Sequence, residues 1–166
     1  MTQKTAVILG SDSDLPVAEK AVEVFRKLGL DFTVHVISAH RTPEQARAFA
    51  QNAASNGYGA IIAIAGKAAH LAGVLASHTR LPVIGVPVKS PDLGGMDALL
   101  STVQMPSGVP VACVAIDGGA NAAWLAARIF ALNDEGLARR LEAEAQSMAE
   151  SVERKNHDIA EKYNQQ

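Results

Sequence analysis

The sequence predicts an α/β protein in which a parallel sheet is covered on both faces by helices. Three observations support this: there are five short apolar, β-rich runs, of which residues 60–65 are continuously apolar; helical patterns alternate with these runs; and polar clusters follow them. Strands that are apolar throughout are typical of parallel sheets buried on both faces. The chain has 166 residues, of which 48% are apolar, so we expect residues 1–166 to form a single α/β domain with a sizeable core.

The first two strand–helix units are marked by glycine and proline. Residues 6–9 form an apolar run that predicts a short buried strand. From Pro16 onward, apolar residues recur every three or four positions, which predicts a helix, and Gly29 favours its end. Residues 32–37 predict the second strand. Residues 43–56 predict an Ala-rich helix that starts with proline, a residue suited to a first helical turn.

The same alternation continues through the middle of the chain. Three more apolar runs predict strands over 60–65, 82–86 and 111–116. The helices that follow them are predicted to end near residue 79, to span 96–103 and to span 121–132. Five consecutive β–α units predict a three-layer, doubly wound sheet of flavodoxin-like type, for which we expect the strand order 2-1-3-4-5.

The remainder, about 134–164, predicts one long C-terminal helix with a narrow apolar stripe. The stripe consists of Leu137, Leu141, Ala145, Met148, Val152, Ile159 and Tyr163. Such a helix is roughly 40–45 Å long, whereas a domain of this size has a diameter on the order of 40 Å. We therefore expect the helix to pack on neighbouring subunits; a partly solvated terminal helix is the alternative.

Composition excludes several classes of function. The net charge of −2 shows no basic excess, so we expect neither a nucleic-acid nor a membrane partner. The first apolar run is too short for a signal peptide, and we expect a cytoplasmic protein. Cys113 is the single cysteine, and the scattered histidines lack paired carboxylates, so we predict no metal site. Dinucleotide, Walker and nucleophile-elbow motifs are missing from the sequence.

Polar clusters follow the predicted strands, where doubly wound sheets bind ligands. Residues 10–14 (Gly-Ser-Asp-Ser-Asp) are predicted to begin a helix. The free backbone N–H groups at the start of that helix, together with the Ser11 and Ser13 hydroxyls, could bind an anion. Simple N-capping by Ser13 or Asp14 is an equal alternative. Further clusters end the other strands, at 38–43, 66–70, 85–90 and 117–121.

His40 and Arg41 are the strongest candidates for functional residues, His40 for proton transfer and Arg41 for phosphate binding. Arginine suits bidentate phosphate contact, and its charge helps to keep an adjacent histidine neutral and able to accept a proton. A capping loop with both side chains in solvent is the alternative. From the residues alone, His70, which lies among small residues, is more readily a structural histidine than a catalytic one.

Six motifs in this order resemble the 5-(carboxyamino)imidazole ribonucleotide mutase family, also called class I PurE. They are residues 10–14, 38–43 (Ser-Ala-His-Arg-Thr-Pro), 68–71 (Ala-Ala-His-Leu), 85–88 (Gly-Val-Pro-Val), 103–110 (Val-Gln-Met-Pro-Ser-Gly-Val-Pro) and 121–123 (Asn-Ala-Ala). The resemblance runs from about residue 5 to 132. Lys67 and Ala72 depart from the common string Ala-Gly-Gly-Ala-Ala-His-Leu-Pro-Gly, and the loop 117–120 is shorter than in some members.

The resemblance implies a reaction, an assembly and a site. Members move a carboxylate from a carbamate nitrogen to a ring carbon of a ribonucleotide in purine biosynthesis, without metal or organic cofactor, as homo-octamers. It implies His40 as general acid and base, and His70 near the carboxylate. The substrate-binding residues that it implies are Ser11, Ser13, Asp14, Ser38, Ala39, Arg41 and Gly66. A functional link to the ATP-dependent synthetase that forms the carbamate is also expected.

Two other functions remain as alternatives. The related aminoimidazole ribonucleotide carboxylases use free carbon dioxide, but they usually carry lysine after Ser-Ala-His and lack Ala-Ala-His-Leu; Arg41 and residues 68–71 therefore favour the mutase. A non-catalytic nucleotide-binding module of flavodoxin-like fold would need no proton-transfer group, so His40 is the residue that discriminates against it.

Overall fold

The computed structural model describes residues 4–164, in which five parallel strands form one sheet. The strands are β1 (Lys4–Leu9), β2 (Phe32–Val36), β3 (Tyr58–Gly66), β4 (Val83–Val88) and β5 (Ala112–Cys113). Their order is β2-β1-β3-β4-β5, so the predicted order is confirmed. Residues 1–3 and 165–166 of the range assigned to the single domain lie outside the described residues.

Helices connect the strands and extend beyond the last one. They are α1 (Leu15–Leu28), α2 (Pro43–Asn52), α3 (Leu71–His78), α4 (Met96–Val103), α5 (Gly119–Ala131) and α6 (Glu135–Tyr163). Gly29 ends α1 with φ +65°, a left-handed conformation that glycine adopts without steric cost. The doubly wound fold with a long C-terminal helix is therefore as predicted.

Alternation along the strands divides the core into two layers. Val7 and Leu9 of β1 pack with α1 and α5 on one face of the sheet, whereas Ala6 and Ile8 pack with α2 and α3 on the other. Both faces of the three central strands are thus covered by helices. The carboxyl ends of those strands are not covered by the helical layers.

Three predicted elements differ from the structure. Val34 and Val36 of β2 are 39% and 56% exposed, because an edge strand is not covered as fully as a central one. β5 keeps two residues of the predicted 111–116, because only Ala112 and Cys113 stay in register with β4. α2 ends at Asn52 rather than 56; the Asn52 side chain donates to the Ala48 carbonyl, a bond that competes with helical backbone bonding.

α6 packs on the sheet's helical layer only at its beginning. Asp134 caps it by accepting the Leu137 N–H at 2.9 Å, and Leu137 is fully buried. Beyond an ion pair between Lys27 and Glu144, the helix runs outward. Its 29 residues span about 44 Å, and its far apolar residues Met148, Val152, Ile159 and Tyr163 are all more than half exposed.

Candidate active site

A cavity of about 600 Å³ lies where β1 to β4 end, lined by the loops that follow these strands. Every predicted site residue except His70 lines it: Ser11, Ser13, Asp14, Ser38, Ala39, His40, Arg41 and Gly66. The convergence follows from topology, because the carboxyl ends of parallel strands meet at one edge of the sheet.

The first wall is a short 3-10 turn, Asp12–Asp14, after β1. Ser11 caps it in a reciprocal capping box: its N–H donates to Asp14 Oδ2 at 3.0 Å, and its hydroxyl oxygen accepts from the Ser13 N–H at 3.4 Å. Ser11 therefore caps the 3-10 turn, whereas Asp14, one of the two residues considered from sequence, occupies the N-cap position of α1 without a side-chain capping bond. The Ser11 hydroxyl also donates to Asp12 at 3.0 Å, so a bound anion would have to draw it away from that carboxylate.

Asp14 is a buried carboxyl, only 6% exposed, that still lines the cavity. Burial raises the pKa of Asp14 above its ordinary value; the hydrogen bond from the Ser11 backbone lowers it, and the nearby Asp12 raises it. A carboxylate can accept about four hydrogen bonds. Asp14 can therefore hold the turn in shape and also accept hydrogen bonds from the hydroxyls of a ligand.

The second wall is the loop 38–42 after β2, which is closed by its own hydrogen bonds. The Thr42 hydroxyl donates to the Ser38 carbonyl at 3.0 Å and accepts the Ser38 N–H at 3.1 Å. The Ser38 hydroxyl in turn accepts from the backbone N–H of Arg41 at 3.2 Å and from its Nε at 3.4 Å. Arg41 also reaches the Gly10 carbonyl at 3.5 Å, so its guanidinium lies between the first two walls.

His40 and His70 face each other across the loops after β2 and β3. Nε2 of His40 lies 3.0 Å from Nδ1 of His70, and the two rings are nearly perpendicular, at 88°. One of these nitrogens must donate and the other accept, so a single proton lies between them. His40 lines the cavity and His70 does not. His70 therefore lies behind His40, which separates it from the cavity.

Sequence reasoning missed the wall that follows β4. Lys89, Ser90 and Pro91 line the cavity, as does Lys67, which departs from the common family string. The backbone N–H of Lys89 donates to the Asp117 carboxylate at 2.9 Å, which ties this wall to the loop after β5. The polar cluster 85–90 at the end of β4 was the signal that could have identified them.

The charges around the cavity favour an anionic ligand. Arg41, Lys67 and Lys89 are cationic, whereas Asp14 is the acidic side chain of the lining. Within residues 4–164, no three His, Cys, Asp or Glu side chains are grouped to hold a metal ion. No helix in the described part of the chain is long and apolar enough to cross a membrane.

Comparisons with known proteins agree with this geometry. A family model described as AIR carboxylase matches residues 4–151. The N5-carboxyaminoimidazole ribonucleotide mutase of Pyrococcus horikoshii is 50% identical over 155 residues, which cover 93% of this chain and 88% of that protein. The chloroplastic phosphoribosylaminoimidazole carboxylase of Vigna aconitifolia is 47% identical over 152 residues, 92% of this chain and 27% of that protein.

A solved structure shares the whole fold. The crystal structure of Treponema denticola PurE superposes with a TM-score of 0.85 at 28% identity and covers 98% of this chain and 99% of that one. The family model spans most of the described residues, including every strand and all the walls of the cavity. The chain therefore belongs to the AIR carboxylase family.

Proposed function

We propose that this chain is an N5-carboxyaminoimidazole ribonucleotide mutase. It converts 5-(carboxyamino)imidazole ribonucleotide to 4-carboxy-5-aminoimidazole ribonucleotide in purine biosynthesis. The observation that carries the proposal is the His40–His70 pair, with nitrogens 3.0 Å apart, beside a cavity that Arg41 also lines. Proton transfer and anion binding are thereby available at one place, which this reaction requires.

The substrate's groups can be matched to the walls of the cavity. The phosphate binds near Arg41 and the hydroxyls of Ser11, Ser13 and Ser38, which the loops after β1 and β2 supply. Asp14 accepts from the ribose hydroxyls. The imidazole then extends toward β3, where Ala39 and Gly66 contact it and the carboxylate lies near His40 and His70.

His40 moves one proton in two directions. When the carbamate N–C bond breaks, its electron pair stays on nitrogen, carbon dioxide leaves, and protonated His40 gives its proton to that nitrogen. The ring carbon of aminoimidazole ribonucleotide then attacks the carbon dioxide and loses its own proton to His40. A C–C bond replaces the N–C bond, and the histidine ends protonated, as it began. His70 orients the His40 ring through their shared hydrogen bond.

The test separates the mutase from its alternatives by supplying the substrate in two forms. One sample receives synthetic carbamate with little bicarbonate, and the other receives aminoimidazole ribonucleotide with bicarbonate. We expect efficient formation of the ring-carboxylated product from the carbamate. Product chiefly from the second sample would favour the carboxylase, and no product from either would favour a non-catalytic binding module.

His40→Asn provides the matched variant. Asparagine keeps a polar side chain in the loop but cannot act as the acid and base, so turnover should fall roughly 100- to 10,000-fold while the Kd for the ribonucleotide changes little. Isothermal titration and a product assay measure the two effects. Unchanged turnover would refute the role of His40.

The exposed stripe of α6 supports a further part of the proposal. We propose that the protein acts in the cytoplasm as a homo-octamer in which about 134–164 packs on neighbouring subunits; Met148 and Ile159, 53% and 60% exposed, would be covered there. A functional link to the ATP-dependent synthetase that makes the carbamate stays a prediction. Product yield from coupled reactions, with and without that synthetase, tests it.

A further inference from the structure

An ion pair joins two loops that line the cavity. Lys67, in the loop after β3, places its Nζ 2.8 Å from Asp92 Oδ2, in the loop after β4. Lys67 itself lines the cavity, and so do Ser90 and Pro91, which immediately precede Asp92. The pair therefore connects the wall after β3 to the wall after β4.

The backbone at Lys67 adopts a conformation that lysine disfavours. Its φ is +52°, in the left-handed region where a side chain with a Cβ meets steric resistance and glycine meets none. A glycine would therefore hold this turn at lower cost. What a lysine adds here, and a glycine could not, is the ammonium group that reaches Asp92.

The wall after β4 contains a polar group without a partner. Ser90 is 5% exposed, and its Oγ has no hydrogen-bond partner in the described part of the chain. Burying an unpaired hydroxyl is unfavourable, so this segment would gain hydration by lifting away from the cavity. The Lys89 N–H bond to Asp117 opposes this at one end of the segment, and the Lys67–Asp92 pair opposes it at the other.

We propose that Lys67 is a positioning residue that acts through Asp92 to hold residues 90–91 in the cavity wall. With residues 90–91 held in place, carbon dioxide released from the carbamate stays beside the nucleotide until the ring carbon captures it. Closed, water-poor sites are what such reactive intermediates need. This inference rests on the proposed mutase function.

The expected effect is modest, because the pair is exposed. The two side chains are 68% and 62% accessible, and an exposed ion pair shifts an equilibrium by at most about fivefold. Loss of the pair should therefore raise escape of carbon dioxide about two- to fivefold. It should not abolish turnover.

The experiment measures escape as an isotope ratio, which does not depend on how much protein is correctly folded. The assembled protein receives unlabelled carbamate in buffer that contains ¹³C-bicarbonate, and mass spectrometry gives the labelled fraction of the product. Lys67→Met and Asp92→Asn should each raise that fraction two- to fivefold, and the double variant should raise it no further. Lys67→Gly should raise it equally while relaxing the backbone.

Arg139→Met is the control, because Arg139 makes an exposed ion pair with Glu135 at 3.7 Å, outside the cavity lining. Its labelled fraction should equal that of the wild type. Wild-type fractions in both single variants, or additive effects in the double variant, would overturn the inference while the proposed function stands. Failure of the wild type to make product from the carbamate would overturn both.

Discussion

Replacing Gly119 with alanine should drive α1 and α5 apart. Gly119 is the first residue of α5, and a Cβ built on it would lie 2.0 Å from the carbonyl oxygen of Val17 in α1. That oxygen belongs to the backbone, so no side-chain rotation can relieve the overlap. Val17 lies in the first turn of α1, three residues after the capping turn Asp12–Asp14, so the displacement should also disturb a wall of the cavity.

The magnitude follows from two opposing effects. Overpacking of this kind costs about 1–3 kcal/mol, and a backbone obstacle belongs at the upper end of that range. The better helix propensity of alanine offsets at most about 1 kcal/mol of this loss in the free energy of unfolding. The net loss is about 2 kcal/mol, which for a domain of this size lowers Tm by roughly 4–8 °C.

Gly136→Ala is the matched control. Gly136 also lies in a first helical turn, but a Cβ there would meet only the Asp134 side chain at 3.2 Å and an Arg140 side-chain nitrogen at 3.7 Å. Differential scanning calorimetry at equal protomer concentration should show a lower Tm for Gly119→Ala and an equal or slightly higher Tm for Gly136→Ala, because alanine favours the helix. Equal Tm values for the two variants would refute the packing argument.

Three further predictions concern charge, packing and assembly. Asp14→Asn should weaken ribonucleotide binding by about tenfold or more, yet it should stabilise the fold at neutral pH. Because burial raises the pKa of Asp14, the folded state holds its proton more tightly than the unfolded chain does; stability therefore falls as pH rises from 3.8 through the folded-state pKa. Urea unfolding between pH 3 and 7 checks this, and a wild type that gains stability over the variant as pH rises would contradict it. Gly85→Ala should lower Tm, because the new Cβ would lie 2.4 Å from Cγ2 of Thr102; thermal melts that match the wild type would refute it. Truncation before Glu142 should produce smaller oligomers in sedimentation velocity, and an unaltered sedimentation coefficient would argue against α6 as an interface.

Sequence periodicity predicted the central elements well, because their environment is uniform. The helix predicted over 96–103 is found as α4 over Met96–Val103, and the three central strands match their apolar runs closely. At the edges the outcome was mixed: β2 matches its predicted run to within one residue, whereas β5 does not. β5 is shorter than its apolar run because residues past Cys113 leave the regular pairing, although the Val114 N–H still donates to the Gly85 carbonyl. Hydrophobicity alone does not reveal which strands lie at an edge.

In the candidate site too, some features could be predicted from the sequence and others could not. Topology placed His40 and His70 at the ends of neighbouring loops, but the 3.0 Å contact between their rings depends on loop conformations that no sequence period encodes. The Lys67–Asp92 pair likewise required the actual path of two irregular loops. Strand order thus predicts which loops lie side by side, but it does not predict which side chains of those loops contact each other.

All residues that line the cavity occur in the first part of the chain, from Gly10 to Pro91, and none of those lining residues belongs to α4, α5 or α6. The second part of the described chain supplies packing for α1 and the sheet, together with the projecting α6. Asp117 and Gly119 of the second part still support the cavity, through the Lys89 N–H and through α1, so only the projecting end of α6 is independent of the site. Under the proposed assembly, changes in that end would alter how copies associate and leave the chemistry encoded by the earlier loops intact.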